Sequence, residues 1–243
     1  MPYVIQPMQL EDIPEVTAIE RQSFTTPWPV YAYRRELKDN RTSRYLVVRR
    51  VEPDNGLAEA TAPAEAAPAT EQPASAAIGA SKSTGSAPAA VLRAVARLLP
   101  FWRPDDLARA RVATRSGTVV GYAGLWLVLD EAHVTTIAVH PDLRGHGLGE
   151  LLLVRLVAIA QEMGAKRMTL EVRVSNEVAQ TLYRKYSFKV EGVRRRYYSD
   201  NDEDALIMWS EPIDAPDFQA RFAELRAALY RRLGDTLART ERT

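Results

Sequence analysis

Cysteine is absent from the 243 residues of this chain, which excludes a disulfide framework, a thiolate metal site and a cysteine nucleophile. Histidine is scarce, with three residues, and none has a second ligand at metal spacing, so we expect no metal. Neither charge dominates, because 32 Lys and Arg stand against 31 Asp and Glu. This balance argues against a nucleic-acid coat protein and predicts no direct nucleic-acid partner.

Long apolar runs are also absent, so we expect no membrane span. No signal peptide precedes the first predicted strand, and we expect a cytoplasmic protein. A stretch at Val51–Ala89 is dense in Ala, Pro, Ser, Glu and Thr and cannot bury enough apolar surface to order itself. We predict one domain over 1–212, interrupted by a disordered insertion at about 51–109, and a C-terminal helical extension over 213–243.

The most informative segment is Val139–Gly149, which runs directly into the apolar stretch Leu151–Val154. It is typical of a strand, a glycine turn and a helix start, an arrangement that leaves main-chain N–H groups directed at one point. Such a point favours a phosphate. Arg144 adds a positive charge, and we expect Gly147 and Gly149 to let a diphosphate approach the backbone, since they lack Cβ atoms.

Three other interpretations compete for this turn. A dinucleotide fingerprint beginning at Gly145 would need Gly or Ala at position 150, where the chain has Glu150. A P-loop would need Gly-Lys-Ser/Thr to close the turn, and that sequence is missing. The third alternative, a strand-to-helix connection whose glycines serve packing alone, stays open.

Three motifs in order resemble the GNAT superfamily of acyl-CoA N-acyltransferases. Arg144-x-x-Gly147-x-Gly149 is similar to the family's pyrophosphate motif, and Leu170–Asn176 and Leu182–Phe188 resemble its next strand and helix. The residues of these motifs most resemble those of the RimI-type enzymes, which acetylate the N-terminal alanine of a ribosomal protein. The resemblance covers roughly residues 3–50 and 110–212.

The resemblance implies an α+β fold, with a mostly antiparallel mixed sheet flanked by helices and splayed between its fourth and fifth strands. Periodicity predicts the elements along the chain. The predicted strands are Tyr3–Ile5, Arg44–Arg50, Ala110–Thr114 and Val119–Leu129 (joined as a hairpin), Val134–Val139, Arg167–Val172, Phe188–Val190 and Ala205–Trp209. The predicted helices are Asp12–Phe24, Tyr31–Lys38, Ala90–Leu99, Gly149–Met163, Asn176–Tyr186 and Asp217–Leu233.

Acetyl-CoA is the cosubstrate that the resemblance implies. The turn residues Arg144, Gly145, His146, Gly147, Leu148 and Gly149 would bind its diphosphate. Main-chain groups of Ile137, Ala138 and Val139 would face its acetyl and pantetheine arm. Asn176 matches a coenzyme-contacting asparagine, but it could instead cap the helix that starts nearby.

Acetyl transfer to an amine needs a proton acceptor, a stabilised oxyanion and a proton for the departing thiolate. Glu171 is the candidate base, since apolar residues flank it in its strand and it matches the proton acceptor of RimI-type enzymes. The alternative is a surface carboxylate paired with Arg173 or Lys166. Tyr183 is the candidate acid, because a phenol can donate a proton to a thiolate, although it could be a packing aromatic.

The resemblance places the acceptor between the first two helices and the last hairpin. Candidate substrate-binding residues are Phe24, Trp28, Arg196, Tyr197 and Tyr198. A charged, solvated hairpin is the alternative for the last three.

Three functions follow. The first is acetyl transfer from acetyl-CoA to the N-terminal amine of a protein or peptide with a small first residue such as alanine, with a ribosomal protein as the implied partner. The second keeps the fold but takes a small-molecule amine or a lysine side chain. The third is a non-catalytic interaction module that binds through a helix.

Overall fold

The structure, a computed structural model, describes residues 2–38, 41–51 and 117–237. Most of the predicted insertion, the predicted helix Ala90–Leu99 and the predicted strand Ala110–Thr114 lie outside these residues. Within them, the chain forms a seven-stranded sheet flanked by helices. The strands are β1 Tyr3–Pro7, β2 Ser43–Arg50, β3 Thr118–Val128, β4 Glu131–Val139, β5 Arg167–Arg173, β6 Phe188–Tyr198 and β7 Glu203–Ser210. The helices are α1 Ile13–Ser23, α2 Val30–Lys38, α3 Leu148–Glu162, α4 Glu177–Lys185 and α5 Pro216–Leu233, with short 3-10 helices at Leu10–Asp12, Pro141–Leu143 and Gly234–Thr236.

The sheet has the order β1-β2-β3-β4-β5-β7-β6, and all its neighbouring pairs are antiparallel except β4 and β5, which are parallel. The parallel pairing joins only the first three residues of each strand, ending at His133 and Thr169. Beyond that point β4 and β5 separate. The predicted α+β fold with a splay between the fourth and fifth strands is therefore confirmed.

β3 pairs with β2 along one edge and, from Gly121 onward, with β4 along the other. The strand predicted to form a hairpin with it, Ala110–Thr114, lies outside the described residues. The predicted strand Val119–Leu129 ends one residue late, since Leu129 adopts a φ of +57° in the turn to β4.

Apolar side chains cover both faces of the sheet. Residues alternate between the faces along β2, so Leu46 and Val48 join one core while Tyr45 and Val47 join the other. The first core lies under α3, α4 and α5, and the second lies under α1 and α2. Most side chains of α3 are buried, as expected for a helix that is apolar on most sides.

The C-terminal helix contributes to the first core rather than standing apart from it. Phe218, Phe222, Leu229 and Leu233 of α5 are buried in that core. The described residues fall in one compact unit, while the domain division drawn from the sequence stays a prediction. Among the described helices, none is long and apolar enough to cross a membrane.

Candidate active site

The turn between β4 and α3 presents main-chain N–H groups. Gly145 and Gly147 have φ values of +79° and +84°, in the left-handed region that favours glycine. Gly147 is the N-cap of α3, and no side chain caps the helix there. The first N–H groups of α3 are therefore left for another acceptor, and such a helix start suits a phosphate.

Arg144 ties this turn to its surroundings. Its Nε donates to the carbonyl of Val139 at 3.2 Å, and its Nη2 donates to Oγ of Ser23, at the end of α1, at 3.1 Å. The imidazole Nδ1 of His146 lies 2.9 Å from the carbonyl oxygen of Arg144. These bonds order the turn and keep the positive charge of Arg144 beside it.

The two glycines expected to admit a diphosphate have different surroundings. A Cβ atom on Gly147 would lie 3.2 Å from Nη2 of Arg232 and 3.2 Å from Cδ2 of Leu233, both on α5. A Cβ atom on Gly149 would meet only Cγ2 of Val139 at 3.9 Å, an ordinary contact. Glycine at position 147 is thus favoured by its φ and also leaves room for the side chains of α5, a reason that the sequence prediction missed.

β4 carries the residues expected to face the acyl arm. Ile137, Ala138 and Val139 pair with β3 on one side but lie beyond the last pair with β5, at His133. Main-chain groups of β4 directed toward β5 therefore have no strand partner along this stretch. The carbonyl of Val139 accepts from Nε of Arg144 at 3.2 Å, and the other main-chain groups directed into the gap can contact a ligand.

Glu171 lies on β5 at the side of this gap. Its side chain is 24% exposed, and its Oε1 is 3.1 Å from Nε of Arg194 on β6. The partners that the surface alternative named, Arg173 and Lys166, are paired with other carboxylates. That alternative is therefore wrong about the partner, and the ion pair with Arg194 was not foreseen.

Tyr183 lies half-buried on α4, with its ring centroid 6.0 Å from that of Phe188. Burial, and then the nearby phenol of Tyr198, raise the pKa of Tyr183 well above its ordinary value. Its hydroxyl has no hydrogen-bond partner within residues 2–38, 41–51 and 117–237. Tyr183 is thus a packed aromatic that also keeps a protonated, unengaged hydroxyl.

Tyr197 and Tyr198, at the end of β6, lie near Glu171. Burial raises the pKa of Tyr198 to about 12, and the charge of Glu171 adds to that shift. Burial and then Glu171 also raise the pKa of Tyr197. The structure therefore brings together Glu171, Tyr183, Tyr197 and Tyr198, which were selected from separate parts of the sequence.

In the described part of the chain, no contact joins the side chains of the other expected acceptor residues to this group. Phe24 follows the last residue of α1 and is exposed, whereas the sequence placed it inside the helix on the apolar face. Trp28 packs with its ring centroid 5.7 Å from Tyr33 and 6.0 Å from Trp126. Arg196 has a φ of +50°, and no contact in the described part of the chain joins its side chain to Glu171.

A polar network that sequence reasoning missed links the two expected walls of the acceptor site. Asp200, in the β6–β7 turn, accepts a hydrogen bond from Oγ1 of Thr25 at 2.5 Å and is held by Nη2 of Arg173 at 2.8 Å. The guanidinium of Arg173 also lies 3.8 Å from the ring centroid of Tyr198. The only sequence signal was alternation along β5, which puts Arg173 on the same face as Glu171.

Asn176 acts as an N-cap in the structure. Its side-chain oxygen accepts from the N–H of Ala179 at 3.1 Å, as the capping alternative expected. Its amide NH₂ group stays available as a donor. In the described part of the chain, no group of three or more His, Cys, Asp or Glu side chains is arranged to hold a metal ion.

Comparison with known proteins places this geometry in a family. Residues 85–188 match the model of the acetyltransferase (GNAT) family. A Bacillus subtilis (strain 168) protein with the provisional name ribosomal protein bS18-alanine N-acetyltransferase is 32% identical over 205 residues, covering 84% of this chain and 93% of that protein. The chain belongs to the GNAT acetyltransferase family, and within it to the RimI type.

Other relatives agree with the GNAT assignment. The ribosomal protein bS18-alanine N-acetyltransferase of Escherichia coli (strain K12) is 41% identical over 97 residues, which cover 39% of this chain and 66% of that enzyme. The crystal structure of the Escherichia coli ribosomal-protein-S18-alanine N-acetyltransferase has the same fold, with a TM-score of 0.55 at 23% identity, covering 88% of this chain and 95% of that one. Ard1 from Thermoplasma volcanium also shares the fold, with a TM-score of 0.54 at 19% identity, covering 86% and 97% of the two chains.

The GNAT membership confirms three sequence predictions, namely the family, the α+β fold and N-acetyltransferase activity. The roles of individual side chains stay predictions. GNAT acetyltransferases take their acyl group from acetyl-CoA, and the glycine turn and the gap beside β4 offer donors suited to that molecule.

Proposed function

We propose that this GNAT enzyme transfers the acetyl group of acetyl-CoA to the N-terminal amine of a protein whose first residue is small, such as the alanine of a ribosomal protein. The observation that carries the proposal is the gap between β4 and β5, with the glycine turn at the end of β4 and Glu171 on β5. The names of the Bacillus subtilis and Escherichia coli relatives support this acceptor.

The coenzyme would bind along β4 and the start of α3. The N–H groups of the Gly145–Gly149 turn and the charge of Arg144 would hold its diphosphate. The pantetheine arm would lie in the gap, where main-chain groups of residues 137–139 and the free amide of Asn176 offer hydrogen bonds. This path leads from the turn toward Glu171.

The reaction would be a direct attack of the neutral amine on the thioester carbonyl. The amine nitrogen forms a bond to the carbonyl carbon, and the developing oxyanion accepts a hydrogen bond from a main-chain N–H of β4. Glu171 takes a proton from the amine, and the carbon–sulfur bond then breaks. Tyr183 donates its proton to the departing thiolate. Its raised pKa keeps the phenol protonated at neutral pH, as this role requires.

The ion pair of Glu171 with Arg194 bears on how the base is used. The side chains of Arg194 and Glu171 are 55% and 24% exposed, so water can replace this ion pair at small cost. An incoming α-ammonium group would displace Arg194 from the carboxylate and release one proton to solvent water, which yields the neutral attacking amine. Glu171 would then be free to take the second proton during the attack. The proposed base would thus be occupied by Arg194 until the acceptor binds.

The acceptor peptide would lie between the α1–α2 loop and the β6–β7 hairpin. Thr25 and Asp200 join these two walls, and the hydroxyls of Tyr197 and Tyr198 provide polar groups near Glu171. A peptide backbone needs such partners, because a buried amide without a hydrogen bond is costly. Phe24 and Trp28 belong to the wall formed by the α1–α2 loop.

The test is acetylation of a peptide library varied at the first residue, with acetyl-CoA and mass spectrometric detection. We expect modification of the α-amine of peptides beginning with alanine or another small residue. Matched peptides with a blocked N-terminus and an internal lysine serve as the control. Acetylation of the lysine in blocked peptides, or no acetylation of any free N-terminus, would overturn the proposal.

A further inference from the structure

Glu150 is a buried carboxylate that the proposed reaction does not use. It lies in the first turn of α3, directly after the glycine turn, and its side chain is 8% exposed. Its oxygens accept hydrogen bonds from Nζ of Lys185 at 2.5 Å, from the hydroxyl of Tyr186 at 2.7 Å and from Nη2 of Arg232 at 2.5 Å. One carboxylate thus joins α3 to the end of α4 and to the last turn of α5.

The charge of Glu150 is maintained by these partners. Burial acts to raise its pKa, but the hydrogen bonds from Lys185, Tyr186 and Arg232 outweigh burial, and the pKa lies below its ordinary value. A carboxylate in the first turn also interacts favourably with the helix dipole. Removing one cationic partner of a buried carboxylate is unfavourable, because the remaining charge is left poorly compensated.

The same arginine lies beside the glycine turn. Nη2 of Arg232 and Cδ2 of Leu233 each lie 3.2 Å from the position where a Cβ of Gly147 would be, and Cδ1 of Leu229 lies 3.8 Å from it. One turn of α5 therefore fills the space behind the N-cap of α3. Arg232 therefore lies beside Gly147 and bonds Glu150. These two residues flank the N–H groups that face the ligand site.

We propose that Arg232 is a positioning residue for coenzyme A, which makes the C-terminal helix part of the coenzyme site. By bonding Glu150 and packing against Gly147, it holds the start of α3 in the conformation in which its N–H groups converge on the diphosphate. The inference rests on the proposed function, since it presumes that coenzyme A binds at this turn. Its physical basis is that a misplaced donor loses much of its contribution to binding.

A competing role for Arg232 is direct contact with the 3′-phosphate of coenzyme A. The two roles differ in the ligand that they affect. An arginine acting through the turn supports any ligand that carries the diphosphate. An arginine on the 3′-phosphate supports coenzyme A but not its 3′-dephospho form.

The experiment is calorimetric titration of coenzyme A and of 3′-dephospho-coenzyme A into the full-length protein and its variants. For Arg232→Met we expect the Kd of both ligands to rise by about tenfold, the effect of losing roughly one charge-assisted hydrogen bond. Arg232→Lys should recover part of the affinity, because lysine can still donate to Glu150. Arg232 is itself 55% exposed, so the neighbouring Arg231, which is also exposed, is a matched control. Arg231→Met should leave both Kd values within about twofold of wild type.

Thermal unfolding and steady-state kinetics accompany the titration. The KM for the acceptor peptide should not change, since Arg232 lies on the coenzyme side of the molecule. Glu150→Gln, which keeps the side-chain shape, should also weaken the binding of both ligands. It replaces Arg232→Met in the test if that variant folds poorly. A lower Tm with unchanged affinity for both ligands would overturn the proposal. A loss of affinity for coenzyme A but not for 3′-dephospho-coenzyme A would also overturn it. Failure of the wild type to bind coenzyme A would instead refute the proposed function.

Discussion

Tyr183 is a packed aromatic for which we propose the role of proton donor. Its ring contacts Phe188 and its hydroxyl lies near Tyr198. Tyr183→Phe should keep the packing and remove the donor, so we expect kcat to fall by about 100-fold, in the range of general acid catalysis. Steady-state kinetics with saturating acetyl-CoA measure this change.

A second phenol provides the control for that variant. Tyr31 on α2 is 70% exposed, and Tyr31→Phe should leave kcat and Tm unchanged. Because burial raises the pKa of Tyr183, the wild type should not lose activity through ionisation of this phenol as the pH rises to about 10, the ordinary pKa of tyrosine. Equal kcat values for wild type and Tyr183→Phe would rule out the assigned role.

Glu171 can be tested in the same way. Glu171→Gln keeps the size of the side chain but cannot take a proton from the amine. We expect kcat/KM for the peptide to fall by about 100-fold, while calorimetry finds the coenzyme affinity unchanged. Glu191→Gln is the matched control, since Glu191 is an exposed carboxylate on β6 paired with Arg167. If the two variants were equally active, Glu171 would not be the base.

The β6–β7 hairpin illustrates how an element escaped sequence reasoning. Residues Lys189–Tyr197 are mostly exposed and rich in arginine, so they lack the apolar alternation by which a strand is recognised. Only Phe188–Val190 was predicted, whereas β6 extends to Tyr198. The strand forms because its main chain pairs with β7, a partner that local sequence does not specify.

The turn of this hairpin should respond to acid. Hydrogen bonds from Ser175 and Arg173 lower the pKa of Glu203 to about 2, from an ordinary value of 4.5. Since the folded-state pKa is lowered, the stabilisation is fully present above about pH 4.5 and is lost as the pH falls toward 2. The Tm difference between wild type and Glu203→Gln should therefore be largest above pH 5 and shrink toward pH 2.

Differential scanning calorimetry across that pH range measures the effect. Glu211→Gln is a suitable comparison, because Glu211 follows β7 and forms an exposed ion pair with Lys189 away from the turn. The Glu203 assignment would be contradicted by a Tm difference that stayed constant from pH 7 to pH 2.

At the scale of the whole molecule, α5 is needed to complete the first core. Phe222 is buried, stacks at 6.0 Å on Phe218 and meets the ring of Tyr186 at 6.2 Å. Phe222→Ala should lower the free energy of unfolding by about 3–5 kcal/mol. Urea unfolding measures this loss, with Leu10→Ala as the control, since Leu10 is 46% exposed. A loss no greater than that of Leu10→Ala would mean that α5 is only loosely attached.

The sequence by itself determined the family, most of the helices and strands, and the glycine turn before α3. The order of glycines and charges around Arg144 and the helical spacing of apolar residues in α5 are local properties, readable within a few residues. Tertiary structure alone decided that Arg194 pairs with Glu171, that Thr25 reaches Asp200, and that Arg232 supports the glycine turn. The members of these pairs are separated by 23, 175 and 85 residues along the chain, and such contacts depend on how the sheet and helices pack, which no local pattern encodes.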